Sequence, residues 1–227
     1  MWNNKMKALT LSYDDGVMQD KRLVKILNKY GIKCTFNINA GMLYHEVWKC
    51  KGIDVVRMNI NECREAFKGH EIAAHGLTHP NLCELQGYQL ERQIFGDKVL
   101  LEELFHTKIN GMAYPGGFYD DNVKEILKKA EIKYCRTVNE TQAFDICDDL
   151  LEFNATCHHN NPNLIELAEK FIELKPEKPQ LFYLWGHSYE FDVNDNWEII
   201  EKFCETVSGN DDIYYCTNDE ALKPFYI

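Results

Sequence analysis

Short apolar runs alternate with amphipathic stretches along the chain. Residues 7–13 predict a strand. Residues 20–30 predict a helix with Leu23, Ile26, Leu27 and Tyr30 on one face and Gly31 as its stop. The same reading gives strands at 34–38, 71–74, 111–114, 133–137, 181–185 and 213–216. It gives helices at 59–68, 85–105, 122–130, 164–174 and 197–207. Strand and helix thus alternate about seven times. That order predicts a parallel sheet with helices outside, either a barrel or an open doubly wound sheet. There is no internal repeat, low-complexity tract or linker, and 227 residues suit one domain spanning 1–227.

In either architecture chemistry collects at the carboxyl ends of the strands. The polar clusters fall there: Asp14-Asp15-Gly16 after the first strand, His75 to His79 after the 71–74 strand, Pro115-Gly116-Gly117, and Gly186-His187. No G-x-G-x-x-G or P-loop follows the first strand, so a nucleotide-binding fold lacks its phosphate cradle.

Composition narrows the partners. The formal charge is -11, which disfavours nucleic acid and anionic membrane surfaces and leaves a neutral or cationic ligand. Nine scattered cysteines include no C-x-x-C pair, so reduced, buried thiols and a cytoplasmic location are expected. No apolar run reaches the length of a membrane span.

Adjacent carboxylates at a strand end point in different directions, so of Asp14 and Asp15 one can ligate a metal while the other stays free as a base. Asp-Asp pairs recur at Asp120, Asp148 and Asp211; only the first is led into by a buried-looking strand. His75 and His79 stand four apart, a spacing that can present both imidazoles to one ion. The intervening Gly-Leu-Thr lacks the glutamate of an H-E-x-x-H protease. His187 follows an apolar strand and can serve as a general acid or bond a loop carbonyl. Together, one carboxylate and two imidazoles make a facial triad, with a carboxylate and a histidine left over for proton transfer.

These residues resemble the polysaccharide deacetylase family, also called the NodB-homology domain or carbohydrate esterase family four. Its T-F-D-D-G motif is matched by Ser12-Tyr13-Asp14-Asp15-Gly16, and its H-x-x-x-H motif by His75 to His79 with Pro80 following. R-x-P-Y is matched by Ala113-Tyr114-Pro115-Gly116, and L-x-H by Trp185-Gly186-His187. The resemblance implies a distorted (β/α)7 barrel. It also implies Asp14 as base, Asp15, His75 and His79 as metal ligands, the Gly116 N–H as oxyanion donor and His187 as acid. The ion implied is Zn²⁺ first, with Co²⁺, Ni²⁺ or Mn²⁺ open. The substrate implied is an N- or O-acetylated sugar or oligosaccharide, with Tyr114, Pro115 and Trp185 expected beside it; the chain's oligomeric state is unassigned.

Two departures stand out. Ala113 replaces an arginine that in the family tethers the base aspartate. The next strand offers Arg136, whose guanidinium fork suits a carboxylate; we expect it to reach Asp14, the competing place being an ion pair elsewhere. Trp185 stands where a leucine usually lines the acetyl pocket, which would narrow it unless the ring is core. Relatives with this barrel cleave non-sugar amides and ureides, an alternative that the altered motif leaves open. A disabled, carbohydrate-binding barrel ranks lower, because ligands, base and acid are all present. His158-His159-Asn160 is a further polar cluster, read as a rim contact.

Overall fold

A computed structural model describes residues 2–226. In chain order the strands are β1 (Lys7–Asp14), β2 (Cys34–Ile38), β3 (Val47–Cys50), β4 (Ile53–Val56), β5 (Glu71–Ala74), β6 (Gly111–Ala113), β7 (Tyr134–Glu140), β8 (Phe153–Ala155), β9 (Cys157–His158), β10 (Gln180–Gly186) and β11 (Ile213–Tyr215). The helices are α1 (Asp20–Lys29), α2 (Ile60–Ala66), α3 (Tyr88–Phe105), α4 (Asp121–Lys129), α5 (Leu164–Glu173), α6 (Tyr189–Val193), α7 (Trp197–Val207) and α8 (Asn218–Leu222).

The main sheet is parallel throughout and runs β8-β7-β6-β5-β2-β1-β10-β9. Its two ends are one stretch of chain. β8 pairs with β7, β9 pairs with β10, and only Thr156 separates them. Segment 153–158 is therefore a single closing stave, and the sheet becomes a barrel of seven staves. Closure leaves no long open edge. β11 wedges beside the start of β1, pairing Lys7 with Ile213, while the end of β1 pairs with β2.

All eight residues of β1 are buried, as a central parallel strand requires. Even Lys7 is enclosed; its Nζ reaches the Ile172 carbonyl at 2.7 Å and Asp212 at 3.0 Å. The α1 face is rotated slightly from the expected one: Leu23, Val24 and Leu27 are buried, with Ile26 and Tyr30 half-buried against them. α2 begins on a capping box, Asn59 with Glu62. The helix expected from residue 85 starts at Tyr88 instead, because residues 82–84 form a separate 3-10 turn and Gly87 enters with positive φ.

Besides the short helices α6 and α8, two strand features were not anticipated. β3 and β4 form an antiparallel hairpin joined by Lys51-Gly52, and β8–β9 supplies the closing stave. All nine cysteines are free and six are buried. Among the described residues no helix is long and apolar enough to cross a membrane.

Candidate active site

The carboxyl ends of β1, β5 and β10 bring Asp14, Asp15, His75, His79 and His187 to one end of the barrel. Asp14 is the last residue of β1 and is buried. Its Oδ1 accepts from Asn37 Nδ2 at 2.8 Å, and its Oδ2 accepts from the Arg136 guanidinium at 2.5 Å. The same Oδ2 lies 3.9 Å from His75 Nε2 and 3.8 Å from His187 Nε2. Burial opposes charge on Asp14, but Arg136, His75 and His187 outweigh it and hold the carboxyl well below the usual carboxylate range.

Arg136 crosses the lumen from β7 to make that contact. It is 1% exposed, bonds Ser12 Oγ and the Thr137 carbonyl as well, and carries the Trp185 ring 4.4 Å from its guanidinium carbon. In register Arg136 is the partner of Ala113. The arginine missing from position 113 is thus offered at the same height by the neighbouring stave.

Asp15 follows with φ of 81°, a left-handed backbone uncommon for a residue with a Cβ. Its N–H is bound by the Asn37 carbonyl, and its own carbonyl accepts from Arg57 at 2.6 Å. Arg57 also pairs with the Asp15 carboxylate at 3.1 Å and with Glu46 at 3.1 Å. Strained backbone held from several sides is characteristic of functional positions. Arg57, in the segment after the hairpin, was not expected from the sequence.

The His75 tautomer is fixed by its backbone contact. Its Nδ1 lies 2.8 Å from the Ala113 carbonyl, which can only accept, so Nδ1 carries the proton and Nε2 presents a lone pair. Burial pushes the imidazole pKa down to about 4, with Asp14 opposing, so the ring stays neutral as ligation requires. The His79 ring sits 4.8 Å from it, at φ of 56°. Ligand atoms of Asp15, His75 and His79 all lie within 4.8 Å of one another, a spacing that one divalent ion can bridge.

His187 faces two carboxylates. Nε2 looks at Asp14, and Nδ1 lies 3.5 Å from Glu190 Oε1. Burial alone would lower its pKa; Glu190, then Asp14 and Asp15, reverse this and raise it to about 9. Gly116 sits at φ of 60° in the turn after β6, and its N–H has no protein acceptor among the described residues.

The three residues expected beside the substrate divide. Trp185 lies between Arg136 and the His158 and His187 rings, its ring 5.9 Å from His187, with its Nε1 unpartnered. Pro115 is buried under Gly76. Tyr114 corrects the expectation: its side chain is 1% exposed, stacks on Tyr119 and donates to the Leu151 carbonyl at 2.6 Å. Burying an aromatic with its hydroxyl paired is favourable, and it leaves Tyr114 only its backbone near the site.

A family model described as polysaccharide deacetylase matches residues 3–135, more than half of the chain. The chain belongs to the polysaccharide deacetylase family. YxkH of Bacillus subtilis (strain 168), itself named only provisionally as a polysaccharide deacetylase, is 26% identical over 127 residues, 55% of this chain and 41% of that protein. The match therefore spans about two fifths of the curated relative. The chitin deacetylase from the fungal pathogen Colletotrichum lindemuthianum is 15% identical, with a TM-score of 0.60 over 96% of this deacetylase-family chain and 88% of that one. BA3943 of Bacillus anthracis, described as a CE4 family pseudoenzyme, is 17% identical, with a TM-score of 0.56 over 96% of this chain and 66% of that one. At these identities the structural likeness concerns the barrel alone.

Proposed function

We propose that residues 1–227 form one metal-dependent deacetylase domain that removes the acetyl group from an N-acetylated, or O-acetylated, sugar or oligosaccharide. The observation that carries this reading is the juxtaposition of a ligand triad, Asp15, His75 and His79, with Asp14 facing His187 beside it.

Asp15, His75 and His79 would hold the cation, Zn²⁺ first among the divalent ions this set accepts. When bound, such an ion polarises an acyl carbonyl and lowers the pKa of water from 15.7 towards about 7. Asp14 accepts the proton of the attacking water, its orientation fixed by Asn37 and Arg136. A carboxylate so strongly stabilised is a weak base, so its part depends on the acidity of that water. The Gly116 N–H donates a hydrogen bond to the oxyanion that develops on the acyl oxygen. His187, kept protonated by its carboxylate neighbours, delivers a proton to the departing amine or alcohol. An acidic surface suits a neutral sugar, and nine free thiols fit a cytoplasmic setting, where oligosaccharides or glycan precursors are the accessible substrates.

The test is acetate release from a panel of acetylated sugars by metal-stripped protein and by protein restored with Zn²⁺ or Co²⁺. Acetate only in the restored samples is the expected result. His187→Ala should lower kcat by roughly 10²–10⁴-fold while KM changes little. Protein that binds the cation yet releases no acetate from any sugar would overturn the assignment in favour of a non-sugar amide substrate or a binding function.

A further inference from the structure

Behind His187 lies a second group of ionisable side chains to which base, acid and ligand triad give no task. Glu190 stands three residues on, in α6. Its Oε2 lies 3.1 Å from His158 Nε2, 3.0 Å from His159 Nε2 and 3.1 Å from Asn160 Nδ2. Its Oε1 lies 3.5 Å from His187 Nδ1, at ion-pair distance though off the ring's N–H axis.

Ligand atoms of His158, His159 and Glu190 lie within 4.8 Å of one another, so distance alone would admit a second cation. Proton accounting decides otherwise. His158 Nδ1 accepts the Asn160 backbone N–H at 3.1 Å, so its proton sits on Nε2 and points at Glu190. His159 Nδ1 lies 3.2 Å from the Tyr13 hydroxyl, and burial keeps that phenol protonated and able to donate. The His159 proton is then also on Nε2, beside Glu190 though off the ring's N–H axis. These are donors around an anion. His75 has the reverse tautomer and offers a lone pair.

The carboxylate is also held rigidly. Phe191 stacks on His159 at 4.1 Å and packs against Trp197 at 4.8 Å, and Ser188 donates to buried Asp20 at 2.6 Å. Gly186 lets the His159 ring close in, since a Cβ there would meet His159 Nδ1 at 2.0 Å.

We propose that Glu190 is the positioning residue for His187: His158, His159 and Asn160 fix its Oε2, so that Oε1 holds the His187 ring with Nε2 turned to Asp14. The inference rests on the proposed reading of His187 as the acid. The groups around His187 are Asp14 and Asp15 from β1 and the turn after it, Glu190 and Tyr189 from α6, Trp185 from β10 and His158 from β9. Only Glu190 faces Nδ1 among the described carboxylates. Burial works against charge on Glu190, but the three histidines around it more than offset this and keep the carboxyl well below its usual range.

Glu190→Gln tests this, because it preserves shape and removes the charge. Its amide N–H would meet His187 Nδ1 and favour the neutral ring. The His187 titration midpoint, read by NMR on metal-free protein, should fall by about one pH unit or more. With the cation restored, kcat on an acetylated sugar should fall roughly 10–100-fold, with KM within about twofold and the alkaline limb moved to lower pH. Glu190→Asp, which keeps the charge, should recover the midpoint in large part. An unchanged midpoint in Glu190→Gln would overturn the proposal. So would a second equivalent of Zn²⁺ that binds the wild-type protein and is lost in that variant. If the wild-type protein releases no acetate, the proposed function fails, and the NMR midpoint still decides the role of Glu190.

Discussion

Arg136 and Asp14 are 122 positions apart in sequence and 2.5 Å apart in space. The contact spans the barrel lumen, since β7 and β1 are separated in the sheet by β6, β5 and β2. Both side chains are almost fully buried, so each depends on the other for its charge.

Removing one partner of a buried ion pair leaves an uncompensated charge, a cost of roughly 3–5 kcal/mol. Arg136→Met is expected to lose stability of that order in urea denaturation and to lose deacetylation. Asp14→Asn/Arg136→Met should recover much of the stability and none of the activity. Full additivity of the two losses would mean that the pair is not coupled.

Arg57 grips both the carbonyl and the carboxylate of Asp15. Arg57→Ala frees a left-handed residue from its main restraint. Zn²⁺ affinity measured by calorimetry should weaken about 10–100-fold, the range typical of groups that orient ligands. Asp14→Asn leaves the Arg57 contacts to Asp15 in place and should bind Zn²⁺ almost as wild type.

Asp20 is fully buried, accepting from Ser188 Oγ and the Val17 N–H. Burial raises its carboxyl from 3.8 to about 8. The folded state therefore holds a proton that the unfolded chain has lost between those values. Its contribution to stability is complete below pH 3.8 and disappears as pH rises through about 8. Asp20→Asn mimics the protonated acid. The stability of wild type relative to this variant should decline with pH, by up to about 1.4 kcal/mol per unit. Denaturation curves at pH 5, 6.5 and 8 measure it; parallel pH profiles would contradict it.

Gly186→Ala places a methyl into the His159 ring. Over-packing of this kind costs about 1–3 kcal/mol, visible as a lowered melting temperature. A variant as stable as wild type would show that the ring can move aside.

The strand–helix alternation, the clustering of Asp15 with His75 and His79, and the position of His187 were legible, because the motif residues follow strongly apolar strands. Arg136 was legible too, once Ala113 raised the question of what orients Asp14. The register explains why: the two positions are lateral neighbours, so one side chain can replace the other. Arg57, Asn37 and Glu190 carry no spacing signal, since only tertiary folding sets them beside the motif residues. The hairpin has a two-residue turn, Lys51-Gly52, but its flanking runs of four residues alternate too weakly to mark strands. The closing stave has three residues, then one, then two, too short for any periodicity. Tyr114 was misplaced because a motif gives a residue's position and not the direction of its ring.

The position of β1 has a consequence for biosynthesis. Its seven pairings with β10 join residues 7–13 to 180–186. Asp14, Asp15, His75 and His79 leave the ribosome long before His187 and before the stave that closes the barrel. Contacts of such long range are slow to form, so the growing chain carries Asp15, His75 and His79 well before it has His187 or a sealed wall. On the proposed reading, the emerging chain would hold its cation-binding residues from residue 79 onward, and hydrolysis would begin only when the last third of the chain docks.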